Sequence, residues 1–315
     1  MKKFFCAFAV FSFAFSCAFA ADNMRIFPKS EGEVITGFKS ETLPSEIKIN
    51  ILYPYDYNEF SRVPLVFLFD NVEYKIEDLK QMFYGKNSKN PQAIIAAFRF
   101  NNETLAQEQF DKFLEDVYPF FELNYKAEGD ALKRIILAKN DFALLALNSL
   151  NNEADYFYNL GMILDNTTAL PVLNKTLKKP VRIFVFSQRE NIVNLQNSFL
   201  SAGLEPLQNF FFKISENNFF EQFDLRYFLD FLPKIKKIKP ILPKEILQKA
   251  PICLQVKTNY GFLDFLPIQL KFAPPVLAYD NESAFLTVLL PEAQKIKING
   301  LFAGKKWSGS IKIAK

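Results

Sequence analysis

Hydrophobic and polar positions divide the chain into two regions of different periodicity. In the first region, apolar runs typical of buried parallel strands alternate with stretches whose apolar residues recur every three or four positions, as on one face of a helix. Predicted strands cover residues 33–38, 46–53, 63–69, 92–98, 134–138, 159–164 and 181–186. Predicted helices cover residues 76–84, 103–125, 141–150, 191–202 and 222–232. This alternation predicts an α/β sandwich with a mostly parallel sheet over about residues 24–235.

Two local features refine this prediction. The first two strands are separated by a proline-containing turn and are expected to form an antiparallel hairpin. Pro119 falls inside the long helix predicted for residues 103–125 and is expected to kink or divide it.

The second region lacks the helical period. The run PKIKKIKPILPKEILQK at 233–249 contains three prolines and six lysines and predicts a linker over residues 236–249. The alternative is a basic segment that docks on acidic lipid or on a partner. Beyond it, short strands are predicted at 252–257, 266–272, 284–290, 295–298 and 310–313, with turns at 259–261 and 299–300. Residues 250–315 therefore predict a small all-β domain, with a sandwich as one arrangement. Trp307 and Phe302 are expected either in its core or on an exposed aromatic surface.

The amino terminus has the pattern of an export signal. Residues 1–20 combine two lysines, an apolar run and a small-x-small ending at Ala18-Phe19-Ala20, so cleavage after Ala20 is predicted. An uncleaved anchor and lipidation at Cys17 are the alternatives. We expect a bacterial protein exported to the periplasm or cell surface, without a transmembrane segment after cleavage.

Charge and composition exclude several classes of function. The chain has 38 basic and 34 acidic residues, and loss of Lys2 and Lys3 with the signal lowers the net charge from +4 to +2, which gives no case for a nucleic-acid partner. There is no histidine, so neither a Ser-His-Asp or Cys-His unit nor a histidine metal site can be built from this chain. Cys253 is the one cysteine beyond the signal, so no internal disulfide, metal or cofactor is expected.

Three segments resemble one branch of the α/β-hydrolase family. They are ILYPYDY at 51–57, RVPLVFLFD at 62–70 and FDKFLEDVYPFFELNY at 110–125. The branch contains S-formylglutathione hydrolases, enterochelin esterases and feruloyl esterases, and the likeness extends over about 200 residues. The resemblance implies a three-layer α/β-hydrolase-like fold.

The resemblance does not extend to the catalytic residues of that family. In place of a G-x-S-x-G elbow the chain has Ala138-Lys139-Asn140-Asp141-Phe142, which puts Asn140 at the nucleophile position. Glu190 corresponds to the acid and Asn218 to the base, and Asn71 replaces a glycine at the oxyanion position. The resemblance therefore implies a degenerate triad, and we expect a pseudoenzyme rather than an enzyme.

The expected function is accordingly a non-catalytic binding or scaffold role, with another envelope protein as the partner, contacted through the C-terminal β domain. One alternative is a hydrolase in which Asp70, Asp141 and Glu190 cluster at the strand ends and supply carboxylate chemistry. Another is a small-ligand receptor that uses the vestigial cleft. Against the carboxylate cluster, these acids are also explained as solvated loop residues, with Asp141 capping its own helix. Lys139 is explained as a surface charge.

Overall fold

The structure is a computed structural model of the 315-residue chain. It describes residues 31–40, 43, 46–55, 57, 61–85, 88, 90–101, 105–151, 155–165, 173, 177, 180–187, 189–205, 209–214, 220, 223–229 and 239–247. It also describes the strand segments 251–253, 255–258, 261–264, 269–273, 285–287, 295–302 and 305–314. The predicted signal at residues 1–20 lies outside the described residues.

Eight strands form the main sheet. They are β1 Gly32–Phe38, β2 Ile47–Leu52, β3 Leu65–Phe69, β4 Ile94–Arg99, β5 Arg134–Lys139, β6 Asn159–Leu164, β7 Arg182–Ser187 and β8 Phe210–Ile214. Their order in the sheet is β1-β2-β4-β3-β5-β6-β7-β8. The pairs β1–β2 and β2–β4 are antiparallel, and every other neighbouring pair is parallel. The predicted hairpin and the mostly parallel sheet are both confirmed.

Helices accompany this sheet at the predicted places. They are α1 Ile76–Tyr84, α2 Gln107–Tyr125, α3 Asp141–Asn151, α4 Arg189–Ser201 and α5 Leu225–Leu229. Helix α2 runs through Pro119 as one helix, so the expectation that proline divides it is wrong. Pro119 lies on the exposed side, while Phe113, Val117 and Phe121 are buried, and this burial stabilises the helix against the lost backbone hydrogen bond.

Aromatic side chains fill the space between the sheet and its helices. On one face, Phe67 and Phe98 are buried with Phe113 and Phe121 of α2, and the rings of Phe67 and Phe98 meet edge to face at 4.9 Å. A second buried cluster, on the other face, includes Leu79 of α1 together with residues of α5. Each fully buried phenylalanine contributes about 2 kcal/mol through removal of apolar surface from water. The large aromatic core therefore accounts for how the main sheet is held.

Most of the described residues of the C-terminal region lie in short strands. They are β9 Lys239–Ile241, β10 Glu245–Leu247, β11 Pro251–Cys253, β12 Gln255–Thr258, β13 Gly261–Asp264, β14 Gln269–Ala273, β15 Phe285–Thr287, β16 Lys295–Phe302 and β17 Lys305–Ala314. The sheet orders are β10-β17-β16-β14, β13-β12-β9 and β11-β15.

Two predictions for this region differ from the structure. The stretch predicted as a linker contains β9 and β10, and Pro240 is accommodated because β9 is the last described strand of its sheet, where a missing backbone N–H is tolerated. The turn predicted at Asn299-Gly300 is wrong, because both residues lie inside β16.

Gly300 has a packing role instead of a turning role. It is paired with Trp307 of β17, and a Cβ atom at position 300 would overlap the indole ring. Trp307 and Leu242 pack against both the second main-domain cluster and a small C-terminal core that contains Ile296, Ile298 and Ile311. The C-terminal sheet is thus attached to the α/β domain through a shared apolar contact.

Within the described ranges, no helix has both the length and the apolar character needed to cross a membrane.

Candidate functional site

The carboxyl ends of three neighbouring strands carry polar residues, and the sequence singled out two of them, Asp70 and Asn140. Strands β3, β5 and β6 are adjacent and parallel, and Asp70, Asn140 and Asp165 follow them directly. Ligands of open α/β sheets bind outside this edge. We therefore call Asp70, Lys139, Asn140 and Asp165 the strand-end site.

Asn140 forms the tight turn between β5 and α3. Its φ is 50°, a left-handed conformation that is uncommon for a residue with a side chain and is best tolerated by asparagine among non-glycine residues. Its N–H donates to the carbonyl of Ile163 at 2.9 Å, and its carbonyl accepts the N–H of Leu144 at 3.1 Å. The strand passes into the helix through this single residue. The assignment of Asn140 to the nucleophile position remains a prediction.

The side chain of Asn140 is fixed to the neighbouring strand end. Nδ2 of Asn140 donates to Oδ2 of Asp165 at 2.7 Å, and the backbone N–H of Asp165 donates to Oδ1 of Asn140 at 3.1 Å. Both side chains are half-buried. The end of β6 therefore holds the amide of Asn140 in one orientation.

Asn71 has the same unusual backbone conformation after β3. Its φ is 61°, and its Oδ1 accepts the N–H of Phe100 at 3.1 Å. The side chain therefore links the end of β3 to the end of β4. Its assignment to the oxyanion position remains a prediction.

Asp70 is half-buried and its carboxylate accepts two local hydrogen bonds. The N–H of Val72 donates to Oδ1 at 3.0 Å, and the hydroxyl of Tyr74 donates to Oδ2. Burial raises the pKa of the Asp70 carboxyl above its ordinary value, although Tyr74, Val72 and the positive charge of Lys139 each act to lower it. A carboxyl with a raised pKa at a strand end is a candidate proton donor.

Phe142 occupies the last position of the predicted elbow motif, where the family has glycine. Its ring stacks on Phe69 at 5.9 Å and on Phe100 at 5.3 Å. It is half-buried. An apolar surface therefore lies on the same end of the sheet as the polar strand-end site.

The other predicted site residues are located as follows. Asp141 is exposed at the first position of α3, where a negative charge is favourable, and Glu190 lies in the first turn of α4 with its side chain outside the described part. Asn218 lies outside the described residues. Among the described residues, no three Asp, Glu, Cys or His side chains are placed to hold a metal ion.

Sequence reasoning missed Asp165 and Ser187. Asp165 follows the buried run of β6, and a polar residue directly after such a run was the signal that could have found it. Ser187 ends β7, is fully buried, and donates its hydroxyl hydrogen to the carbonyl of Leu164 at 3.3 Å.

Comparison with known proteins relates the chain to esterases at low identity. No protein-family model matches the chain, and a search of characterised proteins finds no match. Among solved structures, a ferulic acid esterase from Anaeromyces mucronatus is 14% identical, with 64% of this chain and 88% of that chain covered and a TM-score of 0.44. Enterochelin esterase from Shigella flexneri is 13% identical, with coverages of 61% and 55% and a TM-score of 0.45. A feruloyl esterase module from Clostridium thermocellum, complexed with sinapinate, is 14% identical, with coverages of 64% and 88% and a TM-score of 0.45.

These neighbours correct one prediction. The sequence led us to expect a protein that is not an enzyme, and that expectation is wrong as stated, because the structural neighbours are esterases. The absence of histidine excludes mechanisms that need an imidazole, but it does not extend to chemistry carried out by carboxyl groups.

Proposed function

We propose that this is an exported binding protein whose α/β domain holds its ligand or partner at the strand-end site. The observation that carries the proposal is the left-handed conformation of Asn140, fixed by two hydrogen bonds to Asp165. Such a conformation costs about 1–2 kcal/mol in a residue with a side chain, and strained residues concentrate at functional sites. The retained strain favours a role for this turn beyond joining β5 to α3.

The chemistry of the surrounding groups indicates the kind of ligand. Lys139, Asn140 and Asp165 are half-buried, so each has surface at the sheet edge, and Asp70 adds a carboxyl of raised pKa. Phe142 adds an apolar ring on the same end of the sheet. This combination suits a ligand with hydroxyl or carbonyl groups on one part and an apolar group on another.

Asn140 is proposed to stand at the nucleophile position of an esterase-like arrangement, with Glu190 at the acid, Asn218 at the base and Asn71 at the oxyanion position. The chain order of these residues and the elbow conformation of Asn140 support this assignment. An amide at the elbow offers both a donor and an acceptor to a bound molecule, but it is not a usable nucleophile.

A second candidate function is hydrolysis by carboxyl groups. The raised pKa of Asp70 favours it, because burial makes this carboxyl hold its proton more tightly than an ordinary aspartate does, as a general acid requires. Turnover of aryl and short-chain esters tests it. Activity that is abolished by Asp70→Asn and retained by Asp141→Asn would establish this function.

Export and a partner form the remaining parts of the proposal. Residues 1–20 are proposed to be removed, so N-terminal sequencing of the exported protein should begin at Ala21, and a sequence beginning at Met1 would overturn this part. Residues 250–315 are proposed to contact another component of the bacterial envelope, for which the sequence suggests a protein.

Photo-cross-linking tests the binding proposal even while the ligand is unidentified. A benzophenone amino acid replaces Lys139 at the carboxyl end of β5, or Lys133 before its amino end, as the matched control. We expect an adduct at position 139 that is absent at position 133.

A further inference from the structure

The four-stranded C-terminal sheet has one apolar face and one basic face. Side chains along β16 and β17 alternate, with Ile296, Ile298 and Ile311 buried on the core side. The opposite face carries five exposed lysines, which we call the lysine face: Lys271, Lys295, Lys297, Lys306 and Lys312.

The charges of this face are poorly balanced within the sheet. The strands β10, β14, β16 and β17 contain six lysines and one acid, Glu245. Glu245 pairs with Lys312 at 3.6 Å, and both side chains are largely exposed. Lys312 is also directly opposite Lys295 in the β16–β17 register, where the two positive charges repel each other. A surface that keeps such repulsion is suited to an anionic partner.

Polar groups that bind hydroxyls lie between the lysines. Lys271, Asn299 and Ser308 form one row across three strands, because each is the register partner of the next. A cavity of about 560 Å³ lies at this row and is lined by Lys271, Asn299, Ser308, Lys306 and Leu301, among others. Its volume is in the range of small-ligand sites.

We propose that the lysine face binds an acidic oligosaccharide. Lys271 and Lys306 meet sugar carboxylates, Asn299 and Ser308 exchange hydrogen bonds with hydroxyl groups, and Leu301 contacts the apolar face of a sugar ring. The cavity favours an oligosaccharide rather than a planar lipid bilayer, because only a narrow chain can enter a recess. The amide of Asn299 and the hydroxyl of Ser308 favour a sugar rather than an acidic peptide. This inference goes beyond the proposed function, in which residues 250–315 contact an envelope protein, and it rests on the export proposed there.

Affinity electrophoresis of the full chain tests the inference. The gel contains polygalacturonate, polyglutamate or neutral dextran, and sedimentation with phosphatidylglycerol vesicles is measured in parallel. The variant is Lys271→Gln with Lys306→Gln. The matched control is Lys39→Gln with Lys112→Gln, which removes the same charge from exposed positions of the α/β domain.

We expect polygalacturonate to retard the wild type, in a manner that weakens with salt, and dextran to leave it unaffected. The Lys271→Gln, Lys306→Gln variant should bind polygalacturonate about tenfold more weakly than the wild type. The control variant should bind it less than about twofold more weakly. No retardation by polygalacturonate, equal retardation by polyglutamate, stronger binding to vesicles or equal effects of the two variants would each overturn the inference. The cross-link at position 139 would still succeed or fail on its own, so the two proposals are separable.

Discussion

Asn140 and Asp165 hold each other through two hydrogen bonds between the ends of adjacent strands. The side-chain amide of Asn140 donates to the carboxylate of Asp165 at 2.7 Å, and its oxygen accepts the backbone N–H of Asp165 at 3.1 Å. The turn after β5 and the end of β6 are therefore fixed as one unit. This relationship gives the strand-end site a defined geometry.

Replacement of Asn140 should separate the cost of the turn from the value of these bonds. Asn140→Ala should lower the free energy of unfolding by about 2–4 kcal/mol, because it loses two hydrogen bonds and keeps a strained backbone. Asn140→Gly should lower the free energy of unfolding by about 1 kcal/mol less than Asn140→Ala does, because glycine adopts positive φ without a steric cost. Urea denaturation of both variants measures the difference. Equal losses would show that the conformation of this residue is not strained.

The raised pKa of Asp70 predicts a pH-dependent stability. A carboxyl whose folded pKa lies above its unfolded value of about 3.9 contributes stability below that value, and the contribution is lost as pH rises through the folded pKa. Asp70→Asn removes the charge, so its stability relative to wild type should be higher at pH 7 than at pH 3. Urea denaturation at the two pH values measures this change.

Asp141→Asn is the control for Asp70, since it removes one carboxylate from the exposed start of α3. At pH 7 it should cost about 0.5 kcal/mol, because the negative charge interacts favourably with the amino end of the helix. Two results would contradict burial of the Asp70 carboxylate as the cause. One is a stability gain in Asp141→Asn, and the other is a stability gain in Asp70→Asn that does not change with pH.

Trp307 provides a specific probe of the C-terminal sheet, because it is the one tryptophan of the chain. Gly300→Ala should displace the indole, lower stability by about 1–3 kcal/mol and shift tryptophan emission to longer wavelength. Gly129→Ala is the matched control, since its Cβ would meet the end of the Glu122 side chain at 3.3 Å. Unchanged emission in Gly300→Ala would show that the ring does not pack on Gly300.

The main elements of the α/β domain were predictable because their signals are local. Helix Ile76–Tyr84 was expected with the observed bounds, and the buried strands followed from their apolar runs. Strand Phe210–Ile214 was not predicted, although FFFKI is a short apolar run. Such a run does not distinguish a strand from a helix without its neighbours, and β7 supplies that context.

Features of the candidate site and the C-terminal sheet that depend on long-range contacts could not be predicted from the sequence. Asn299-Gly300 has the composition of a hairpin turn, but Trp307 on the next strand fills the space that a side chain at position 300 would need. Asp165 was overlooked because its role depends on Asn140, 25 residues away in the chain. The position of the turn at Asn140 was predictable because the strand before it and the helix after it have clear local patterns. Its assignment to the nucleophile position came from the family resemblance and remains a prediction.

Comparison of cross-linking at positions 139 and 133 tests the central claim most directly. Both sites flank β5, so they report on opposite ends of the same strand, and the full chain carries the benzophenone at one site or the other. After irradiation with the envelope fraction, intact mass spectrometry measures the adduct at each site. Binding at the strand-end site predicts a defined adduct at position 139 that Asn140→Ala reduces, and little or none at position 133. Equal labelling at both ends, or labelling at position 133 alone, would contradict the claim.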